Sequence, residues 1–177
     1  MTKKIFIDTD CISAFLWVGE ESLLSILYPG RIIMPKPVYD ELDRPGVSWM
    51  KVRVDSMIEK GDLVVAELNI GTQESQLYYE MTENPEKGFR IIGSGEAASI
   101  ALAKVKKGIV ASNNFKDIMP YIKKYSIDYT TTADILVDAF KKGFIDESQG
   151  NIIWEKMLRK RRKLGDVSFS EYLKKHI

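Results

Sequence analysis

Lys4-Ile5-Phe6-Ile7-Asp8-Thr9-Asp10 is the stretch whose order decides the fold. Ile5, Phe6 and Ile7 are consecutive rather than alternating. An uninterrupted apolar run suits a strand covered on both faces of a parallel sheet, whereas a strand with one wet face alternates. Asp8 stands where that strand must stop. In open α/β sheets, ligands meet the carboxyl ends of the strands. A carboxylate there, beside a second at Asp10, is costly unless something positive meets it.

The same grammar repeats along the chain. Arg31-Ile32-Ile33-Met34, Leu63-Val64-Val65-Ala66, Ile109-Val110-Ala111-Ser112 and Ile127-Asp128-Tyr129 read as further strands. Between them lie helical patterns. Ile12, Phe15 and Leu16 follow a cap at Thr9 or Asp10, and Gly19 closes that helix. A short helix covers 21–28. Pro35 and Pro37 start another, running through Leu42. In 48–60, Trp49, Val52, Met57 and Ile58 lie on or near one face. Further helices cover 73–82, the small-residue run from Ser94 or Gly95, and 130–142. From Asp146 the chain is helical and more polar, with Ile152, Ile153, Trp154 and Met157 docking on the domain and Phe169, Tyr172 and Leu173 docking a final short helix. Strand and helix in alternation imply a parallel sheet with right-handed crossovers. No repeat, low-complexity tract or interdomain linker interrupts the pattern.

Composition narrows the function. At 177 residues, with 45% apolar and 29% charged content, the chain reads as one ordinary globular domain. A net charge of +1 supplies no global pull on nucleic acid, so any such binding needs local patches or metal. One Cys (Cys11) and one His (His176) exclude an internal disulfide and a structural zinc site of about four Cys/His ligands. Lys3 and Lys4 lead into an apolar run that Asp8 breaks too early for a signal peptide, and no stretch nears the ~20 apolar residues of a membrane span. The expectation is a cytoplasmic protein.

In a parallel sheet each crossover helix begins at the carboxyl edge, which gathers acids far apart in sequence. Asp8 ends strand 1. Glu41 lies near the start of the helix after strand 2, and Glu96 is in the first turn of the helix before strand 4. Asp117 follows strand 4. Glu96, Ile100 and Ala103 share one helix face, so Glu96 stands at the end of an apolar stripe. Each acid also has a plainer reading: Glu41 as a solvated helix acid, Glu96 as a partner of the helix dipole, Asn114 and Asp117 as cap and dipole partner. Four carboxylates without His or Cys select a hard cation, Mg²⁺ or Mn²⁺, with Asp8, Glu96 and Asp117 as the expected ligands. Such an ion lowers the pKa of bound water and neutralises a phosphodiester, which fits hydrolysis of a nucleic-acid backbone. Thr9, Asp10, Ser112 and Asn114 are the supporting polar groups. Lys156, Arg159, Lys160, Arg161, Arg162 and Lys163 form a basic run suited to RNA or a partner surface.

These residues resemble the PIN-domain ribonucleases, and specifically the VapC-like toxins of toxin–antitoxin pairs. Ile5 to Ser13 is similar to the family's opening strand and acid turn, and Val38-Tyr39-Asp40-Glu41-Leu42 to its Glu-containing motif. Gly95-Glu96-Ala97-Ala98-Ser99-Ile100 resembles the third motif, and Ser112-Asn113-Asn114-Phe115-Lys116-Asp117-Ile118 the fourth. The third acid is Glu where many members have Asp, and 68–93 is long. The resemblance implies a three-layer α/β/α sandwich around a mostly parallel, four- to five-stranded sheet. It places a PIN-like catalytic domain at 1–145, with 146–177 as a C-terminal helical extension packed on the same domain. It also implies catalytic roles for Asp8, Glu41, Glu96 and Asp117, Mg²⁺- or Mn²⁺-dependent endoribonuclease activity on RNA, a small antitoxin partner and homodimers. Two other readings stand: a haloacid-dehalogenase-type phosphatase built on Asp8-Thr9-Asp10, and a PIN-like binding module without catalysis.

Overall fold

The structure, a computed structural model, describes residues 2–177. Five strands, β1 (Ile5–Ile7), β2 (Ile32–Pro35), β3 (Leu63–Ala66), β4 (Ile109–Ala111) and β5 (Asp128–Thr130), form one sheet in the order β3-β2-β1-β4-β5. Every strand pair is parallel. β1 is central, with Ile5 opposite Ile32 on one side and Ile109 on the other. The sheet is therefore all parallel rather than mostly so.

Strand pleating sends successive side chains to opposite faces, and the core divides accordingly. Ile5, Ile7, Ile32, Met34 and Ala111 pack into one buried cluster; Phe6 and Val110 pack into the other. The first cluster is closed by α1 (Thr9–Val18), α2 (Ser22–Leu27), α3 (Lys36–Glu41) and α4 (Ser48–Glu59), together with α8 (Thr132–Lys141), α9 (Glu147–Arg159) and α10 (Phe169–His176). The second is closed by α5 (Gln73–Thr82), α6 (Ser94–Lys106) and α7 (Phe115–Tyr125). Helices on both faces explain the unbroken apolar run in β1. Each large side chain buried there contributes about 1.5–3 kcal/mol.

Residues 146–177 share the first cluster. Trp154 and Phe169 are fully buried, and the Trp154 indole donates to the Asp166 carbonyl at 3.1 Å. Gly150 lets α9 and α10 meet, since a Cβ there would lie 2.2 Å from Phe169 Cδ1.

Three local expectations change. The buried face of α4 is Met50, Val54 and Met57, at i, i+4 and i+7; Val52 is 69% exposed. The cap of α1 is Asp8 itself, which accepts from the Thr9 amide at 2.7 Å. Glu41 ends α3 instead of opening it, because that helix is only six residues long.

Candidate active site at the carboxyl edge

The middle strands deliver the site. β1 ends on Asp8 and β4 runs into Ser112, so the sheet register sets these two residues side by side. The Ser112 hydroxyl donates to Asp8 Oδ2 at 3.0 Å. It also lies 3.5 Å from Asp10 Oδ1. One hydroxyl has one proton, and the shorter contact takes it. Asp10 is held instead by the Asn113 amide, 3.2 and 3.1 Å from its two oxygens. Asn113 is fixed in turn by Thr132, which accepts from its side-chain amide at 2.8 Å and donates its own backbone N–H to Asn113 Oδ1 at 2.9 Å.

Glu96 and Asp117 are joined through Asn114. Its Nδ2 stands 2.8 Å from Glu96 Oε1 and 2.8 Å from Asp117 Oδ2, so its two N–H groups serve two carboxylates. Asn114 occupies the cap position of α7 but makes no side-chain cap bond. The plain capping-box reading of Asn114 and Asp117 therefore gives way to a bridge into the cleft. Glu41 accepts from the Thr9 hydroxyl and, at 3.1 Å, from the Ser94 hydroxyl.

Gly95 lies where Asp8 and Glu41 come together. A Cβ at this position would be 2.9 Å from Asp8 Oδ1 and 3.2 Å from Glu41 Oε1. The small residues opening α6 let the helix start sit against both acids. Sequence reasoning marks Ser94 or Gly95 as the start of a small-residue helix able to lie close to neighbouring backbone, but gives Ser94 no partner and Asn113 no role. The Gly93-Ser94-Gly95 run immediately before Glu96 was the signal for close approach.

The electrostatics are those of crowded acids. Asp8 is 3% exposed, and its carboxyl is held well above the usual aspartate range, first by burial and then by the charges of Asp10 and Glu96. Asp10 is raised as well, chiefly by burial. Among the described residues no Lys or Arg forms an ion pair with Asp8, Asp10, Glu41, Glu96 or Asp117. The N-termini of α1, α6 and α7 offset part of the repulsion.

Among the described residues no three His, Cys, Asp or Glu side chains are closed into a ready metal cage. The donor chemistry nonetheless fits a hard divalent cation: oxygen ligands only, a desolvated carboxylate in Asp8, and mutual repulsion that a cation relieves.

The basic run divides. Arg161, Arg162 and Lys163 line a cleft of about 290 Å³ together with Asp10, Glu96, Asn113 and Asn114. Arg162 is pinned there by Ser13, whose Oγ lies 3.3 Å from Nη1. Lys156 is an exposed residue of α9, Arg159 pairs with Glu155, and Lys160 lies over the Trp17 ring, so these three stand apart from the cleft. The phosphatase reading needs a later Lys and a later acid pair at another strand's carboxyl end, for which Asp128 and Gly165-Asp166 are the candidates. Asp128 instead begins β5 at the opposite edge, paired with Lys3, and Asp166 is paired with Lys175.

A family model described as PIN domain matches residues 4–176. Among solved structures, a chain of VapBC-1 from nontypeable Haemophilus influenzae is 17% identical, with 72% of this chain and 97% of that chain covered and a TM-score of 0.49. At that level the likeness carries nothing about activity. No curated protein matches the chain.

Proposed function

The chain belongs to the PIN-domain family, whose members are as a rule nucleases that use divalent metal, and from that premise we propose that it is a Mg²⁺- or Mn²⁺-dependent endoribonuclease. The observation that carries the reading is the carboxyl edge itself. Buried Asp8 and half-buried Asp10, Glu41, Glu96 and Asp117 crowd around Gly95 and Asn114 with no basic ion-pair partner among the described residues. So much unneutralised carboxylate is expensive unless a cation occupies the edge.

In this reading Asp8, Glu96 and Asp117 hold the ion. A divalent cation there supplies a lowered water pKa and charge neutralisation at the scissile phosphate. Ser112 and the Thr9 amide fix the Asp8 carboxylate, and Asn114 sets the spacing of Glu96 and Asp117. Glu41, steadied by Thr9 and Ser94, stands ready to take a proton from an attacking water. Arg161, Arg162 and Lys163 bring positive charge to the lip of the cleft, where the RNA backbone enters.

The four sequence motifs are similar to those of VapC-like toxins. We therefore propose the toxin role, with a small antitoxin protein as the partner that closes the acidic cleft and self-association into dimers.

The test is incubation of the purified chain with total RNA and Mn²⁺ or Mg²⁺, beside EDTA and Asp8→Asn controls. Discrete cleavage that disappears in both controls is the expected outcome. Intact RNA under all metals, or cleavage undiminished in Asp8→Asn, overturns the reading.

A further inference from the structure

Beside the acidic cleft lies a second, larger cavity of about 510 Å³, within the size range of small-molecule sites. It opens between the start of α7, the loop at 163–166 and the face of α10. None of the catalytic groups named above needs it. We propose that this cavity is a nucleobase pocket, which receives an unstacked base of a single-stranded RNA whose neighbouring phosphate lies at the acids. The proposal rests on the nuclease reading and specifies the substrate subsite that goes with it.

Continuity is the first ground. Asn113, Asn114 and Lys163 line both the cavity and the acidic cleft, so a nucleotide that places its phosphate in one reaches the other. The walls are the second. Phe115 directly follows the bridging Asn114 and is 44% exposed, a position no core contact explains. Tyr129 meets it edge-on at 5.7 Å, which braces the ring. On the opposite wall His176 stacks on the buried Tyr172 at 3.9 Å with planes 14° apart, and both residues line the cavity. Bases stack on such rings whatever their identity.

Charge is the third ground. Lys116 and Lys163 both line the cavity, and neither forms an ion pair among the described residues. Flat aromatic surfaces flanked by free ammonium groups suit a base with a phosphate on either side. A basic protein segment would meet the neighbouring acids too, but Lys116 and Lys163 along the wall favour an anionic occupant for the cavity itself.

The experiment follows backbone amide NMR shifts of the full chain, without metal, on titration with each of the four nucleoside 5′-monophosphates. Ribose 5-phosphate is the control that carries phosphate without a base. Expected are shifts at Phe115, Lys163 and Gly165, with at least one nucleotide bound about tenfold more tightly than ribose 5-phosphate. Phe115→Ala, at an exposed site and therefore safe for folding, erases that margin. Lys163→Ala weakens nucleotide and ribose 5-phosphate alike. Equal binding of ribose 5-phosphate and all nucleotides, or shifts confined to other surfaces, overturns the pocket and leaves a protein segment as its occupant. Since no cleavage is involved, the two readings fail separately. RNA cleavage without base-dependent binding sinks the pocket alone, and base-dependent binding at Phe115 without cleavage sinks the nuclease alone.

Discussion

The two ends of the same sheet treat charge in opposite ways. At the amino edge, Lys3 pairs with Asp128 across β1 and β5, and both side chains are more than half exposed. Each charge has its partner, and water screens both; such pairs contribute about 0–1 kcal/mol. At the carboxyl edge, Asp8 is buried beside Asp10 and Glu96, and among the described residues no Lys or Arg is paired with any of them. The two edges of one sheet thus carry stabilising decoration on one side and a stability cost on the other. The teaching is that a cost borne at one edge alone belongs to the site and not to the fold.

That contrast is sharpest in activity. Asp8→Asn removes the central carboxylate while keeping the shape of the side chain and one of its two accepted hydrogen bonds, and cleavage of RNA should fall about a thousandfold, the scale of losing a group that acts on transition-state charge. Asp128→Ala at the amino edge should leave the rate within a factor of two, measured on the same substrate.

Next comes a change that touches no acid. Gly95→Ala would place a methyl group 2.9 Å from Asp8 Oδ1 and 3.2 Å from Glu41 Oε1. Both carboxylates must shift, and displacement of about 1 Å costs on the order of a hundredfold in rate. Gly30→Ala serves as the control: its would-be Cβ meets nothing within 4 Å, and although its φ of +65° brings some strain, its effect should be on stability alone.

A third prediction concerns pH. The carboxyls of Asp8 and Asp10 titrate above the ordinary value of 3.8 in the folded chain. Between that value and the raised one, the folded state binds more protons than the unfolded state, so metal-free stability falls as pH rises through the window. Below about pH 4 both states are protonated and the penalty vanishes. Asp8→Asn should therefore raise the metal-free melting temperature at pH 7 by a few degrees, since one unit of pKa is about 1.4 kcal/mol and 1 kcal/mol moves a domain of this size by about 2–4 °C. The difference should disappear near pH 3.5. Millimolar Mn²⁺ should stabilise the wild type and not the variant.

The smallest effect is expected at the amino edge: Asp128→Ala should change stability by no more than about 1 kcal/mol in chemical denaturation. A larger loss would erase the contrast between the edges.

Much of this was legible in the sequence because β1 and β4 are buried on both faces. Unbroken Ile5-Phe6-Ile7 and Ile109-Val110-Ala111 leave a parallel sheet as the natural arrangement, and polar residues directly after each strand mark the edge. The acids at 8, 41, 96 and 117 follow from that topology. What stayed hidden depended on side-chain direction and loop course. Asn114 could cap α7 or reach Glu96, and spacing alone does not choose. The turn of the chain at Arg161, at a positive φ of 56°, carries part of the basic run into the acidic cleft, and nothing local in the sequence announces it. The buried face of α4 was misplaced because Val52 and Val54 are equivalent in composition, and only contact with the sheet separates them.

The most direct measurement of the central claim is calorimetric titration of Mn²⁺ into the wild type, Asp8→Asn and Asp128→Ala at pH 7, in two buffers of different ionisation enthalpy. The account predicts binding by the wild type and by Asp128→Ala, with the two buffers separating proton heat from metal heat, and binding at least tenfold weaker in Asp8→Asn. Equal binding by all three proteins, or none by the wild type, would contradict it.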